Sequence, residues 1–412
     1  MQLKKSKLAK MAVMGVLSAT AAFAASDTLY DYFGSYVEAT AGLIPNKLSL
    51  SIYQEVTFED NQDNSPRRDR TGNVGYKTGI DGALTRTKGW VTYGIDGDAS
   101  YQFWQKDAHE KNAFDWSIAP MVLVNVDTEG SLAQSLKLSI SSKSKYEKLS
   151  KTDRREARHI DSKLGLAYDL LHRSSRAGAV LTFDYRYDYF TKNDYKNRSF
   201  DSWEIGLAPY YKFSGKVKGG VRLSYREKDY RESKTNPYKD DSSKKTIAGY
   251  INYDPSLKLN VYAEAGFSRT DFEGRSKDSY GDGDWKPMLK LRIKYKPNTY
   301  WSTGFGSNYD FEDSQISSHR GGSYQFDNYV FLNWKPSHKF SLRNTIGIEN
   351  QNEKDLCNLD TTEYYYNLRA TYHLTANFSC YALYKYSNVN YKYVGRDSYF
   401  SNDVTLGIKY TF

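Results

Sequence analysis

The sequence predicts an all-β protein, a closed antiparallel transmembrane β-barrel of about 18 strands (16–18) with short periplasmic turns and long extracellular loops. Three observations lead there. Runs of about ten residues alternate apolar and polar positions, as a strand with two unlike faces must. Short turns and long charged connections follow one another along the chain, one kind at each end of the strands. The chain also ends on SNDVTLGIKYTF, which places Val404, Leu406, Ile408, Tyr410 and Phe412 on a single face.

Composition excludes simpler classes. With 38 Tyr, 19 Phe and 7 Trp the chain is too aromatic for disorder, and 39% hydrophobic residues over 412 positions leave too little aliphatic bulk for several soluble cores. No run of about 18 apolar residues follows the N-terminus, so a helical membrane protein is excluded. An exported propeller would also be repetitive and aromatic, but it leaves the succession of short and long connections unexplained.

Residues 1–24 read as a signal peptide: Lys4, Lys5, Lys7 and Lys10 precede MAVMGVLSATAAFA, and Ala22-Phe23-Ala24 suits cleavage after Ala24. Removing those lysines takes the net charge from +9 to +5, a balance that gives no support to nucleic-acid binding. In residues 25–46, Leu29, Tyr32, Phe33, Tyr36, Val37, Thr40 and Ala41 follow helical spacing behind Ser26 or Asp27 as a cap. This predicts a short amphipathic helix, with a lumen plug, a periplasmic helix and a nineteenth strand all open as roles.

The barrel is expected over 47–412. Its strands include LSLSIYQEVTF, VTYGIDGDASYQF, LTFDYRYDYF, VKGGVRLSYR, LKLNVYAEAGF, PMLKLRIKY, WSTGFGSNYDF and YNLRATYHL, each long enough to cross a bilayer when tilted. In VTYGIDGDASYQF the odd positions face lipid and the even ones a wet lumen, with tyrosines suited to the interfaces. Tyr253-Asp254-Pro255-Ser256, Tyr295-Lys296-Pro297-Asn298 and Trp334-Lys335-Pro336-Ser337 repeat one turn, their prolines 42 and 39 residues apart, so the repeating unit is a hairpin. Pro120, Pro209 and Pro287 fall inside strands, and each is expected to mark a bulge or a strand start.

The polar faces predict a lumen lining. Lys286, Lys290, Arg292 and Lys294 share one face, as do Lys218, Arg222 and Arg226, while Asp81, Asp96 and Asp98 point inward from early strands. In an 18-stranded barrel strand 12 stands opposite strand 3, so a basic wall would face an acidic one, and basic rings favour anions. The expected cargo is small polar or saccharide solutes. The outer surface is expected to meet outer-membrane lipid and lipopolysaccharide in a Gram-negative bacterium.

No catalytic or cofactor motif occurs, so neither an enzyme nor a cofactor is predicted. His109, His159, His172, His319 and His338 fall in expected loops or turns and His373 at a strand end, all read as surface residues. Asp278, Asp282 and Asp284 read as a solvated loop rather than a cation site. Cys357 and Cys380 are expected at opposite ends of the strands and hence unbridged.

Pro45-Asn46-Lys47-Leu48-Ser49-Leu50 leading to Glu59-Asp60-Asn61, the aromatic-x-Pro-polar turns, and the ending Arg396-Asp397-Ser398-Tyr399-Phe400-Ser401-Asn402 with Leu406-Gly407-Ile408-Lys409-Tyr410 resemble the β-barrel porin 2 family of bacterial outer-membrane proteins. That resemblance implies an outer-membrane barrel linked to transport and often to exopolysaccharide export. The terminal aromatic Phe412 likewise resembles the signal by which the barrel-assembly machinery recognises its clients. Three functions therefore stand: a pore for small polar or anionic solutes, an export partner, and a structural or display barrel.

Overall fold

The computed structural model describes residues 47–60, 72–105, 113–127, 131–148, 156–191, 198–231, 241–256, 258–273, 283–313, 322–353, 359–392 and 398–412. The leader, the helix expected over 25–46, His109, His319, Asp278, Asp282 and Cys357 lie outside the described residues. Cys380 is a free thiol on the outer face, paired in the ladder with Ile408.

The chain opens with β1 (Lys47–Glu59), β2 (Asn73–Lys88), β3 (Val91–Trp104), β4 (Ala113–Asp127), β5 (Leu132–Lys148) and β6 (Glu156–His172). Next come β7 (Ala177–Phe190), β8 (Phe200–Lys212), β9 (Val217–Tyr230), β10 (Ser242–Ser256), β11 (Leu259–Phe272) and β12 (Trp285–Tyr295). It ends with β13 (Trp301–Asp313), β14 (Gly322–Trp334), β15 (Phe340–Glu353), β16 (Leu359–His373), β17 (Phe378–Lys392) and β18 (Tyr399–Thr411). Each strand pairs antiparallel with its sequence neighbours, and β18 returns to β1 from Ser51↔Thr411 to Glu59↔Asp403. The 18-stranded sheet is therefore closed, so no strand presents a free edge at membrane depth.

Period-2 patterning sorts the side chains. On β10, Ile247, Ile251 and Tyr253 are exposed, whereas Thr246, Ala248, Tyr250 and Asn252 between them are buried. Trp285 and Tyr295 bound the exposed face of β12 with ten residue steps between them. Ten steps of about 3.4 Å on a strand tilted by about 40° rise roughly 26 Å, the height of an outer-membrane apolar band. Rings mark its edges: Trp301 packs on Trp334 at 5.7 Å at the turn end, and Trp203 on Tyr225 at 5.3 Å at the loop end. These are the features of an outer-membrane-type β-barrel.

Inside, aromatic rings lie over glycines directly opposite them in the ladder: Tyr329 over Gly306, Tyr365 over Gly347 and Tyr381 over Gly407. A Cβ at any of these glycines would collide with the ring, so their absence lets the rings lie along the wall. Gly347→Val adds strand propensity of at most about 1 kcal/mol, but overpacking against Tyr365 costs about 1–3 kcal/mol. A lower unfolding midpoint in detergent is the expected result.

The prolines correct one expectation. Pro120 and Pro209 mark no bulge: β4 keeps register with β3 through Ile95↔Pro120, and β8 with β7 through Ala179↔Pro209. On their other sides the ladders lapse between Ile118 and Met121 and between Leu207 and Tyr210, then resume unshifted. A missing N–H removes a donor toward one neighbour only, so no residue need be inserted. Pro287 stands near the start of β12, as expected, and β12 pairs with β13 only from Leu289↔Tyr309. The register shift falls instead beside Pro255, between Tyr253 and Ser256.

Candidate functional site

Alternation turns the even residues of β8 to β13 inward, and there the structure gathers two neighbouring groups of bonded charges. Arg222 of β9 donates to Glu204 of β8 at 3.1 Å and to Glu264 of β11 at 3.0 Å. Tyr262 donates to the other oxygen of Glu264 at 2.6 Å, and the Glu264 side chain is fully buried. Further toward the loops, Arg226 meets Glu312 at 2.6 Å.

Lys244 of β10 holds Asp310 Oδ2 at 2.9 Å, Glu312 Oε1 at 2.9 Å and the Phe311 carbonyl at 2.8 Å. Those three acceptors match an ammonium's three donors. Lys244 and Asp310 are three strands apart, about 14 Å along a flat sheet, farther than a lysine reaches. The wall must therefore curve sharply here. The cause lies in β12, whose ladder to β13 stops at Leu289 beneath Pro287, leaving Asp310 to Glu312 without β12 partners. Ser268 of β11 then donates directly to Asp310 at 3.2 Å.

A second cluster joins β6 and β7. Arg186 binds Asp161 at 3.0 Å and Asp188 at 3.1 Å, and His159 Nδ1 lies 2.9 Å from Asp188. His159 is thus not a loop residue: β5 and β6 continue through much of the connection KYEKLSKTDRREARH, and its side chain is only 12% exposed. The stretch is charged throughout and lacks an apolar face, so alternation fails there as a signal. His172 is likewise the last residue of β6 rather than part of the turn. His338 is exposed in the turn after β14, and His373 ends β16.

The lining residues named from sequence divide as follows. Lys218, Arg222 and Arg226 share the inward face of β9, and Lys286, Lys290, Arg292 and Lys294 that of β12. Lys218 is buried with its ammonium 4.6 Å from the Tyr210 ring, a cation–π contact. Lys286 meets Asp284 at 3.0 Å, Arg292 is half-buried and Lys294 is exposed. This wall is not uniformly basic, because Glu204, Glu264, Asp310 and Glu312 are set among its cations. On the other side Asp98 accepts from Tyr53 at 2.7 Å, Asp81 pairs with Lys409 at 2.8 Å, and Asp96 shares their inward face. Reading parity in LKLNVYAEAGF would have found Glu264, but nothing local signals that Asp310 meets Lys244.

No family model and no curated protein matches the chain. Among solved structures it is similar to OccK2 (OpdF) of Pseudomonas aeruginosa, at 10% identity and TM-score 0.47 over 89% of this chain and 98% of that one. OpdQ of the same organism matches at 9% identity and TM-score 0.45 over 90% and 99%. The FrpB iron transporter from Neisseria meningitidis matches at 10% and 0.41 over 91% and 83%. The fold rests on the closed strand pairing and not on these likenesses.

Proposed function

We propose that the barrel is a passive pore for small polar or anionic solutes, oligosaccharides among them. The supporting observation is the closed 18-stranded wall whose inward positions are charged and polar, since barrels of this size leave an aqueous channel. Lys290, Arg292 and Lys294 descend one strand toward the turn end and would bias the channel to anions.

A saccharide cargo is favoured by the half-buried rings of Tyr329 and Tyr365, held along the wall by the glycines opposite them. The second reading, assistance in exopolysaccharide export, follows from the resemblance to the β-barrel porin 2 family and draws on the same rings. Phe412, 65% exposed at the end of β18, is the proposed handle for the assembly machinery.

The test is single-channel conductance of the refolded protein in a planar bilayer under a salt gradient. Steady openings with anion preference are expected. A folded barrel that never conducts would overturn the pore.

A further inference from the structure

We propose that the turn end of the barrel is a loading surface for soluble polyanions of the carboxylate-bearing oligosaccharide class, so that cargo enters from the periplasm. This deepens the pore reading and rests on it.

The five short turns between β6 and β15 contain no Asp or Glu. They expose Arg176, Lys216, Lys258, Lys296, Lys335 and Lys339. None of these six has an ion-pair partner among the described residues. The nearby carboxylate Asp254, at the foot of β10, accepts from Asn252 at 2.8 Å and from Asn260 at 2.5 Å. Backbone bonds hold the turns side by side: Lys296 N donates to Lys258 O at 2.6 Å, and Asp254 N to Lys216 O at 2.7 Å. The backbones that carry these like charges are therefore held side by side.

The loop ends of the same strands differ. There Arg231 faces Asp201 at 3.8 Å, and Asp271 takes both Lys245 at 3.2 Å and Arg269 at 2.8 Å. Arg231, Lys245 and Arg269 at the loop end each face a carboxylate, whereas the six turn-end cations named above have none among the described residues.

Neighbouring turns stand about 10 Å apart, two strand spacings, too far for one small anion to bridge. A chain carrying repeated charges can. The positive charge also continues inward from the rim through Lys212, Lys294 and Arg292. A lipid headgroup outside the barrel would not call for that inward continuation, whereas a solute entering the lumen would. Such a patch raises on-rates on the side where it lies, and salt weakens it.

The test is current block by a short oligogalacturonate added to either chamber. Block from one side is expected to be at least about tenfold faster at low salt and to lose that advantage at about 1 M salt. Lys216→Glu, Lys258→Glu, Lys296→Glu and Lys335→Glu combined should abolish the fast side and leave the slow side unchanged; the corresponding glutamine variant serves if reversal prevents assembly. Equal block from both sides, or an asymmetry that survives the variant, overturns the proposal. It also falls if the variant only weakens insertion into phosphatidylglycerol vesicles relative to phosphatidylcholine, because the rim then serves lipid.

Binding of fluorescein-labelled oligogalacturonate in detergent separates the two readings. A barrel that binds the probe through the rim but never conducts keeps the loading surface and loses the pore. One that conducts without side preference and without rim-dependent binding keeps the pore and loses the loading surface.

Discussion

Arg222→Ala is expected to destabilise the barrel by about 3–5 kcal/mol, the loss seen when one partner of a buried ion pair is removed. The guanidinium serves two carboxylates from different strands, and Glu264 has no exposed side-chain surface to share with water. Removing it takes from both the guanidinium that binds them, leaving Glu264 the Tyr262 hydroxyl and the more distant Lys290, and Glu204 the more distant Arg226. Glu264→Gln should cost less, since the amide oxygen still accepts from Tyr262 and Arg222 keeps Glu204. Urea unfolding in micelles, followed by tryptophan fluorescence, measures both. Were water to reach the cluster freely, the Arg222 effect would shrink to about 1 kcal/mol, the worth of a surface pair. The magnitude therefore reports whether this side of the lumen is dry, and a loss near the surface value would remove the network from the account of stability.

Lys290→Glu, Arg292→Glu and Lys294→Glu together should turn an anion-preferring channel toward cations. A unit charge about 10 Å from a permeating ion is worth about 0.4 kcal/mol in water. Three reversals then change the ion's energy by about 2.5 kcal/mol, or about 1 kcal/mol after screening at about 0.1 M salt. That is roughly a fivefold change in occupancy for each sign of ion, in opposite directions. The reversal potential under a salt gradient should change sign. A potential unmoved by all three substitutions would show that β12 does not face the conduction path.

The barrel was legible because a bilayer imposes the contrast that alternation detects. VTYGIDGDASYQF became β3 nearly residue for residue, and its exposed Tyr93, Ile95, Tyr101 and Phe103 are the odd positions expected to meet lipid. The same reasoning fails at Tyr146 to Lys148 and Glu156 to His159, which continue as strand through a charged stretch that carries no apolar alternation. Parity likewise put Arg222 and Lys290 on the inward face. It could not show that Asp310 and Glu312 meet Lys244, because those partners come together through curvature set by a ladder that stops beneath Pro287.

The seam between β1 and β18 carries a consequence for how the molecule forms. Ser51 and Thr411 share a hydroxyl hydrogen bond at 3.0 Å across 360 positions of sequence. All other strand pairings are local hairpins that can form as soon as two neighbours exist, but this one joins β1 to β18 and waits for β18. Until then the half-built sheet has two raw edges, each able to pair with a stranger. Closure is thus the slow, committing event of biogenesis. A truncation of even the final strand would yield an aggregating ribbon rather than a smaller barrel.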